Sequence, residues 1–395
     1  MKFIFAPDSF KGSLSARDVC TLLSLSAKAH FPKVQLELIP VADGGEGTVE
    51  ALVLATNGQI QSISVTGPMN DPVTAQYGIL GDGKTAVLEM AQASGLPLVT
   101  GEKNPMAATS LGTGEMLLHV LKQGYKTVYM GIGGSATNDG GMGMLQALGV
   151  EFFDENDNAL PGCGESLAKV KRVDFSGLAP EAKQGKIVVM SDVTNPLLGE
   201  SGATHIYGPQ KGAQGAVLLA LEKGMENYAK VIGAALNKDA IEMPGAGAAG
   251  GMGYALGCVL NAKIQPGIAT VLDVVKFDKR VSDASLVITG EGRIDRQSVL
   301  FGKVAAGVAK RCEKANVPVI AIVGGMGEGA EGFFDIGQSS IMTTVNAPMD
   351  ISYAMTQAKP LFASAADRMF RMIKMGMAMR ERKIDLGEEP SDEYK

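Results

Sequence analysis

The chain has no tryptophan, and aromatic residues make up only 5% of its 395 residues. Its formal net charge is -6. It therefore offers neither a basic field that would attract a phosphate backbone nor many aromatic rings on which bases could stack. This composition disfavours nucleic-acid binding, and no nucleic-acid partner is expected.

Cysteine and histidine are also scarce, with four cysteines and three histidines in the whole chain. Cys20, Cys163, Cys258 and Cys312 lie far apart, and no two of them form a Cys-x-x-Cys pair. This spacing disfavours both structural zinc sites and a disulfide framework. We interpret the cysteines as small buried hydrophobic residues in a reducing compartment.

The sequence has no unbroken apolar run long enough to span a bilayer. It opens directly on a strand-like segment, residues 2–6, rather than on a basic stretch followed by a long apolar one. We expect no membrane partner and a cytoplasmic location.

Glycine, in contrast, is abundant, with 51 residues that often cluster after apolar segments. Such clusters let the backbone turn sharply and bring N–H groups close to a ligand, as phosphate and nucleotide sites require. The length exceeds what one hydrophobic core usually supports, so two domains with a cleft between them are expected.

Apolar strands alternate with helical stretches at both ends of the chain. Strands are predicted at residues 2–6, 34–41, 286–289, 317–323 and 338–344, and helices at 15–29 and 48–55. Continuous apolar strands between helices are typical of a parallel sheet covered on both faces.

The sequence pattern changes after residue 60, because residues 60–81 alternate between polar and apolar and end in turn residues, as antiparallel hairpins do. The predicted fold class is α/β. Residues 1–60 and 284–395 form a Rossmann-like parallel sheet domain built from both chain ends, and residues 61–283 form an inserted mixed α/β domain. The active site is expected in the cleft between them, and the charged tail, 381–395, is expected to fray.

Two nucleotide-binding patterns occur in unfavourable contexts. Residues 78–85, GILGDGKT, match the P-loop expression, but the alternating segment before them and the Asp82-Gly83 pair favour a hairpin turn. Residues 245–250, GAGAAG, match the dinucleotide fingerprint, but no apolar strand precedes them. Close packing or a generic phosphate loop is the preferred interpretation of the second match.

The first group of polar residues follows the opening strand, in the segment 7–16, PDSFKGSLSA. Ligands of an open parallel sheet bind at the carboxyl ends of its strands, so Asp8, Ser9 and Lys11 are well placed. Lys11 and the helix start that follows it suit a phosphate or a carboxylate. Turn or capping roles would account for Asp8 and Ser9 but not for Lys11.

The second group lies in residues 40–48, PVADGGEGT, again after an apolar strand. Asp43 and Glu46 put two carboxylates into a glycine-rich turn before a helix, and Mg²⁺ prefers such oxygen ligands while keeping several waters. We predict a metal site at Asp43 and Glu46, with Gly44 and Gly45 beside the bound ligand.

The third group is the segment 131–143, GIGGSATNDGGMG, which follows an apolar strand at residues 127–130. Its glycines bring backbone donors close to an anion, and its polar side chains add further donors. A similar but weaker cradle occurs at residues 109–115. Either segment can equally be a packing turn. The residues predicted to contact a bound anion are Gly133, Gly134, Ser135, Thr137 and Asn138.

The fourth group combines residues 191–196, SDVTNP, with residues 289–295, TGEGRID. Asp192 can accept the proton of an attacking hydroxyl or hold a metal, and Arg293 can grip a carboxylate or phosphate with two hydrogen bonds. Glu291 and Asp295 are predicted binding residues. Structural ion pairs are the alternative for all four, but their repeated position at strand ends favours a site.

Taken together, these segments resemble the bacterial glycerate kinase family that forms 2-phosphoglycerate and lacks a P-loop. The resemblance runs essentially end to end, and it also includes residues 66–72, TGPMNDP, and 207–212, YGPQKG. It implies an ATP- and Mg²⁺-dependent transfer of the γ-phosphate to D-glycerate, at the C2 hydroxyl.

The resemblance is compatible with several assignments of role. Asp8 and Asp192 are candidates for the base or for a metal ligand, Lys11 and Arg293 are the candidate catalytic cations, and Asp43 and Glu46 are the candidate metal ligands. Residues 133–138 are the candidates for contact with the nucleotide phosphates. Alternatives are a kinase that forms 3-phosphoglycerate, an NAD-dependent hydroxyacid dehydrogenase and a non-catalytic nucleotide sensor. Whether the chain forms a homodimer stays open.

Overall fold

A computed structural model of the protein describes residues 1–300 and 302–381. The tail that we predicted to fray lies outside the described residues from position 382 onward. Strands and helices alternate through most of the chain, as expected from the sequence. The strands are β1 (Lys2–Pro7), β2 (Gln35–Leu38), β3 (Gln59–Thr66), β4 (Pro72–Ile79), β5 (Thr85–Glu89), β6 (Thr127–Gly131), β7 (Glu151–Phe153), β8 (Arg172–Asp174), β9 (Lys186–Met190), β10 (Lys263–Gln265), β11 (Leu286–Ile294), β12 (Val319–Met326) and β13 (Ser339–Thr343).

The helices range from single turns to long amphipathic segments. They are α1 (Ala16–His30), α2 (Thr48–Thr56), α3 (Ala91–Ser94), α4 (Leu111–Lys122), α5 (Met142–Ala147), α6 (Pro180–Gln184), α7 (Ala203–Tyr207), α8 (Gly215–Leu236), α9 (Ala248–Tyr254), α10 (Gly267–Val274), α11 (Phe277–Val281), α12 (Arg296–Leu300), α13 (Val304–Lys314), α14 (Ile351–Thr356) and α15 (Ala358–Glu381). Short 3₁₀ turns lie at Leu96–Leu98, Gly164–Lys169, Pro209–Lys211 and Ala330–Asp335, and one π-helical turn lies at Ala255–Val259.

A five-stranded parallel sheet is formed by strands from both ends of the chain, in the order β13-β12-β11-β1-β2. This confirms the predicted parallel sheet. The chain leaves β1 towards β2 on one side, and β11 joins β1 on the other side. The junction of β1 and β11 is therefore the point where the strand order reverses, which is where open α/β sheets bind their ligands.

Both faces of the parallel sheet are covered, because its strands are apolar at successive positions. Phe3 and Phe5 pack with α1 and α15, whereas the intervening Ile4 and Ala6 pack in a cluster with α2, α10 and α13. Ser15 begins α1, since its side chain accepts a hydrogen bond from the Asp18 N–H. Alternate side chains of β1 therefore point to opposite faces of the sheet, and each face packs against its own layer of helices.

β11 extends further than the sequence predicted. We expected a strand at residues 286–289 and a loop afterwards, but β11 continues to Ile294 because Arg293 and Ile294 still pair with Gly325 and Met326 of β12. Glu291 and Arg293 therefore lie on the strand itself rather than beyond its end.

The middle of the chain forms a six-stranded mixed sheet in the order β10-β9-β6-β5-β4-β3. β3 and β4 are antiparallel, as are β4 and β5, so the predicted hairpins are confirmed. The turn between β4 and β5 carries Lys84, and Gly78 lies within β4 opposite Val87. The P-loop match is therefore a β-hairpin.

The segment 245–250 has no strand before it in the described chain, since residues 241–247 form turns. Its glycines are packing positions: a Cβ atom on Gly250 would lie 2.1 Å from the Thr137 carbonyl oxygen, and one on Gly247 would lie 2.2 Å from that of Pro196. This confirms the preference for close packing over a dinucleotide site.

The two sheets are joined by a shared apolar layer. The cluster that contains Ile4 of the parallel sheet also contains Val53 of α2, Val87 of the mixed sheet and Val271 of α10. The layers therefore run helices, parallel sheet, helices, mixed sheet, helices. The boundaries at residues 60/61 and 283/284 stay a prediction. Among the described residues, no helix is both long and apolar enough to cross a membrane.

Candidate functional site

A cleft of about 760 Å³ follows the carboxyl edge of the parallel sheet. It runs past the ends of β1, β11, β12 and β13, with α14 on its outer side. A smaller cavity of about 250 Å³ adjoins it and shares several of its residues. The predicted site residues that line the large cleft are Asp8, Ser9, Lys11, Asp43, Glu291, Arg293 and Asp295.

Asp8 stands at the point where β1 ends between β2 and β11. Its N–H donates to the Gly290 carbonyl at 2.8 Å, which extends the strand ladder by one residue. Its carboxylate accepts the Ser9 N–H at 2.6 Å. Lys11 lies in the tight turn that follows, and the chain then enters α1. Strand pairing thus carries Asp8, Ser9 and Lys11 into the cleft.

Asp43 reaches the same place on the loop after β2. Its carboxylate accepts the Gly45 N–H at 3.1 Å. Gly44 has φ of +89°, and a Cβ atom there would lie 2.7 Å from the Met190 carbonyl oxygen at the end of β9. Gly44 is therefore required for close packing between the loop and the mixed sheet. Gly45 is the next residue of the same loop. The predicted role of Gly44 and Gly45 in ligand binding stays a prediction.

Glu89 holds the other end of this loop. It is buried at the end of β5, and its carboxylate accepts the Val49 N–H of α2 at 2.6 Å. Burial raises the pKa of Glu89, and the N–H groups of Val49 and Gly47 oppose that effect. Glu46, by contrast, is exposed and lines the smaller cavity rather than the cleft that contains Asp43.

The half-buried carboxyl groups of the cleft raise one another's pKa. Burial raises the pKa of Asp8 to about 7, and repulsion from Asp43 and Glu291 adds to this effect. Burial likewise raises the pKa of Glu291 to about 7, with Asp43 and Asp295 contributing, although the Ala305 N–H and Lys303 oppose it. Carboxyl groups with these values exchange protons near neutral pH.

Asp192 approaches this group from the other sheet. It follows β9 and accepts the N–H of Gly267, the first residue of α10, at 3.0 Å. Asp192 is exposed, and its partial desolvation together with the charge of Asp43 raises its pKa, while Lys303 opposes the shift. Asp192 is therefore electrostatically coupled to the cleft, although it does not line it.

Arg293 and Asp295 lie nearer the surface. The Arg293 side chain is 70% exposed, and its Nε lies 3.8 Å from the Asp295 carboxylate. Asp295 also accepts the Ser298 N–H at 3.0 Å. The long distance and the exposure leave the Arg293 guanidinium free to turn towards an anion in the cleft.

The segment 133–138 is placed differently. Gly133 and Gly134 are exposed after β6, but Ser135, Thr137 and Asn138 are buried. Asn138 donates to the Thr204 hydroxyl at 3.2 Å. A phosphate contact to the buried side chains would require this packing to open, and their assignment to the nucleotide stays a prediction.

Lys211 explains part of that burial, and the sequence did not single it out as a functional residue. Its ammonium group is fully enclosed and donates to the Ser135 hydroxyl at 2.8 Å and to the Thr137 carbonyl at 2.6 Å. Burial lowers the pKa of Lys211 to about 7, although Asp139 opposes the shift. Lys211 therefore fixes the conformation of the glycine-rich segment.

Lys303 is the second residue that sequence reasoning missed. It immediately precedes α13 and lines the cleft, where its charge counteracts the rise in the pKa values of Glu291 and Asp192. It does not follow a strand, so a search at strand ends could not find it. Its position before a helix and after a glycine was the only local signal.

Comparisons with known proteins agree with the resemblance noted above. A family model described as the glycerate kinase family matches residues 3–374. The chain is 50% identical to the glycerate 2-kinase of Escherichia coli over 327 residues, which cover 82% of this chain and 86% of that protein. It is 43% identical to the glycerate kinase of Bacillus subtilis over 380 residues, which cover 96% and 99% of the two chains.

A solved structure supports the same relationship. The structure of a protein assigned as glycerate kinase 2 from Salmonella typhimurium LT2 has a TM-score of 0.86 and 40% sequence identity to this chain. The alignment covers 96% of this chain and 99% of that one. This structural similarity confirms the predicted α/β fold.

Proposed function

The chain belongs to the glycerate kinase family, and from this premise we propose that it transfers the γ-phosphate of ATP to D-glycerate. The C2 hydroxyl is the proposed acceptor, giving 2-phospho-D-glycerate, because a 50% identical relative is named glycerate 2-kinase. The observation that carries the proposal is the junction of β1 and β11. There, the half-buried Asp8 and Glu291 share one cleft with Lys11 and Lys303.

Asp8 is the proposed acceptor of the proton from the attacking hydroxyl. It lines the cleft, whereas Asp192 is directed towards the N–H of Gly267. A base works best when its pKa is near the working pH, and burial raises the pKa of Asp8 to about 7. Asp192 then acts by holding the start of α10 and by adding negative charge beside Asp43.

The cations of the cleft neutralise the anionic substrates. Phosphoryl transfer asks little covalent chemistry of the protein, so positioning and charge neutralisation provide most of the catalysis. Lys11 lies beside Asp8 at the end of β1, while Lys303 and Arg293 lie on the β11 side. Arg293 suits the glycerate carboxylate, since a guanidinium can form two parallel hydrogen bonds with it.

The carboxylates of the cleft fit Mg²⁺, which proteins commonly hold through one or two carboxylates together with substrate phosphates and waters. Asp43 is the proposed ligand, because its charge acts on Asp8, Glu291 and Asp192. When bound, Mg²⁺ would neutralise charge on the transferred phosphoryl group. Glu46 lines the neighbouring cavity, and its role as a ligand stays a prediction.

Two broader expectations also stay proposals. The boundaries at residues 60/61 and 283/284 are supported by the separation of the strands into two sheets. A cytoplasmic location is supported by the cysteines, since Cys20, Cys163, Cys258 and Cys312 are all buried free thiols.

The test is an assay of ADP release from ATP and Mg²⁺ with and without D-glycerate, followed by phosphorus NMR of the product. We expect glycerate-dependent ADP release and the signal of 2-phosphoglycerate. The signal of 3-phosphoglycerate would overturn the C2 assignment alone. Absence of glycerate-dependent ADP release would overturn the proposed function.

A further inference from the structure

Helix α2 begins without a capping side chain of its own. Its N-cap is Gly47, which has φ of +90° and no side chain to accept the first free N–H groups. Glu89 supplies an acceptor from the end of β5, because its Oε1 accepts the Val49 N–H at 2.6 Å. A residue of the mixed sheet therefore caps a helix that packs between the two sheets.

The Glu89 side chain is unfavourable to bury. It is 2% exposed, and its second oxygen, Oε2, is buried without a hydrogen-bond partner among the described residues. An unpaired buried carboxyl oxygen lowers stability. Short side chains such as Ser, Thr and Asp cap most helices without burying a carboxyl group in this way. Capping alone therefore does not explain a glutamate at this position.

A series of hydrogen bonds leads from the start of α2 back to Asp43. The Thr48 hydroxyl donates to the Gly45 carbonyl at 2.7 Å, and the Gly45 N–H donates to the Asp43 carboxylate at 3.1 Å. The orientation of the Asp43 carboxylate thus depends on the position at which α2 begins. The hydrogen bond between Val49 and Glu89 fixes that position.

The backbone of the same loop is packed tightly against the mixed sheet. A Cβ atom on Gly131, at the end of β6, would clash with the Gly44 carbonyl oxygen, and one on Gly267, at the start of α10, would clash with that of Asp43. The loop follows β2 of the parallel sheet, yet the mixed sheet and α10 hold it from the other side. Glu89 adds a hydrogen bond to these packing contacts.

We propose that Glu89 is a positioning residue for the reaction: by capping α2 it holds the loop 43–49 so that the Asp43 carboxylate can bind Mg²⁺ in the cleft. This inference rests on the proposed function, because Asp43 is the proposed metal ligand. Glu89 is not among the residues that line the cleft, so it acts through Asp43 and not on the substrates. Partners that hold a metal ligand from behind commonly change metal affinity by about 10- to 100-fold when they are substituted.

Two substitutions in the full-length protein separate the reach of the Glu89 side chain from its charge. Glu89→Gln keeps an oxygen at the distance of Oε1 and removes the charge, whereas Glu89→Asp keeps the charge and withdraws the oxygen by one methylene group. Glu115→Asp is the matched control, because the Glu115 carboxylate on α4 also accepts a backbone N–H, that of Thr66, at 2.7 Å. Melting temperature checks that all three variants fold.

The readouts are Mn²⁺ binding in the presence of ADP, measured by electron paramagnetic resonance, and hydrogen exchange of the backbone amides at residues 44–49 without metal. We expect Glu89→Asp to weaken Mn²⁺ binding at least about tenfold and to make this exchange faster, because α2 loses its cap. The Mg²⁺ concentration for half-maximal turnover should rise by a similar factor, while the KM for glycerate stays unchanged. Glu89→Gln should stay within about threefold of the wild type, since it keeps the acceptor oxygen. The control should match the wild type.

Three outcomes would overturn the positioning role. They are unchanged Mn²⁺ affinity in Glu89→Asp, a loss in Glu89→Gln as large as that in Glu89→Asp, and an equal loss in Glu115→Asp. A wild type that binds no Mn²⁺ with ADP would also overturn it, because Asp43 would then hold no metal. If the wild type binds Mn²⁺ but releases no ADP in response to glycerate, the proposed function fails, and metal binding and hydrogen exchange still decide the role of Glu89.

Discussion

At the scale of single residues, Asp8 lies in the candidate site, where its ionised form is electrostatically unfavourable. Burial first, and then the charges of Asp43 and Glu291, raise its pKa from 3.8 to about 7. A raised carboxyl pKa means that the folded protein favours the neutral form. Stability should therefore fall as the pH rises from about 4 to about 7, where the unfolded chain is already ionised.

The prediction for Asp8→Asn has two parts. Turnover should fall roughly a hundredfold or more, because the acceptor of the hydroxyl proton is lost. At pH 8 the free energy of unfolding should rise by roughly 1–3 kcal/mol, since the variant no longer ionises a half-buried group, and at pH 4 it should not rise. Glycerate-dependent ADP release and thermal unfolding at both pH values measure the two parts.

Wild-type turnover provides the matching control. It should decline as the pH falls below about 7, whereas the residual turnover of Asp8→Asn should show no such step. An Asn variant that retains near wild-type turnover would assign the base to another residue, Asp192 first.

Asp43 should behave differently from Asp8, because its proposed role is to bind Mg²⁺ and not to accept the hydroxyl proton. Asp43→Asn should reduce turnover by about a hundredfold with little change in melting temperature, since Asn keeps an oxygen for the Gly45 N–H. It should also raise the Mg²⁺ concentration needed for half-maximal turnover, because the proposed carboxylate ligand is lost. Thermal unfolding and a titration of turnover with Mg²⁺ check these effects, and an unchanged Mg²⁺ requirement would contradict the assignment of Asp43 as the ligand.

At the scale of elements, the residues that match a P-loop in the β4–β5 hairpin stabilise a turn. Asp82 accepts hydrogen bonds from the Lys84 and Thr85 N–H groups at 2.9 and 3.0 Å, and from the Thr85 hydroxyl at 2.7 Å. The Lys84 side chain is exposed on the turn. The sequence pattern matches a P-loop, but the pairing of the two strands uses these residues as a turn.

The prediction concerns the contrast between these neighbours. Asp82→Ala should lower the free energy of unfolding by roughly 1–2 kcal/mol, because several hydrogen bonds to a carboxylate are lost. Lys84→Ala should change neither stability nor turnover noticeably. Urea unfolding and the ADP-release assay test the pair, and a loss of several orders of magnitude in the turnover of Lys84→Ala would restore the P-loop interpretation.

At the scale of the whole molecule, the parallel sheet depends on both ends of the chain. β1 lies between β2 and β11, and Phe3 and Phe5 pack against Phe370 of α15. A chain that ends at residue 316 loses β12, β13, α14 and α15. The apolar faces of β1 and α1 would then lose their cover.

We therefore expect the fragment 1–316 to lose cooperative unfolding of its N-terminal strands. Hydrogen exchange of the backbone amides at residues 3–6 should become fast in the fragment and remain slow in the full chain. The isolated fragment 1–60 should be unfolded by circular dichroism. A stable fold in either fragment would show that the N-terminal segment does not need the C-terminal strands.

Much of this protein could be predicted from local sequence. The apolar run of β1 and the Asp82-Gly83 turn depend on interactions within a few residues, so both could be predicted from local patterns. Polar residues after those strands led to Asp8, Lys11, Asp43 and Glu291, and the family resemblance was confirmed by the match over residues 3–374.

The tertiary structure decided which candidates share one site. β11 extends to Ile294 only because β12 pairs with it, and Glu46, Thr137 and Asn138 face away from the large cleft or lie buried. Lys303 enters the site from a helix start. Local sequence determines elements through short-range bonds and periodicity, whereas the meeting of distant side chains depends on packing between layers that no local pattern records.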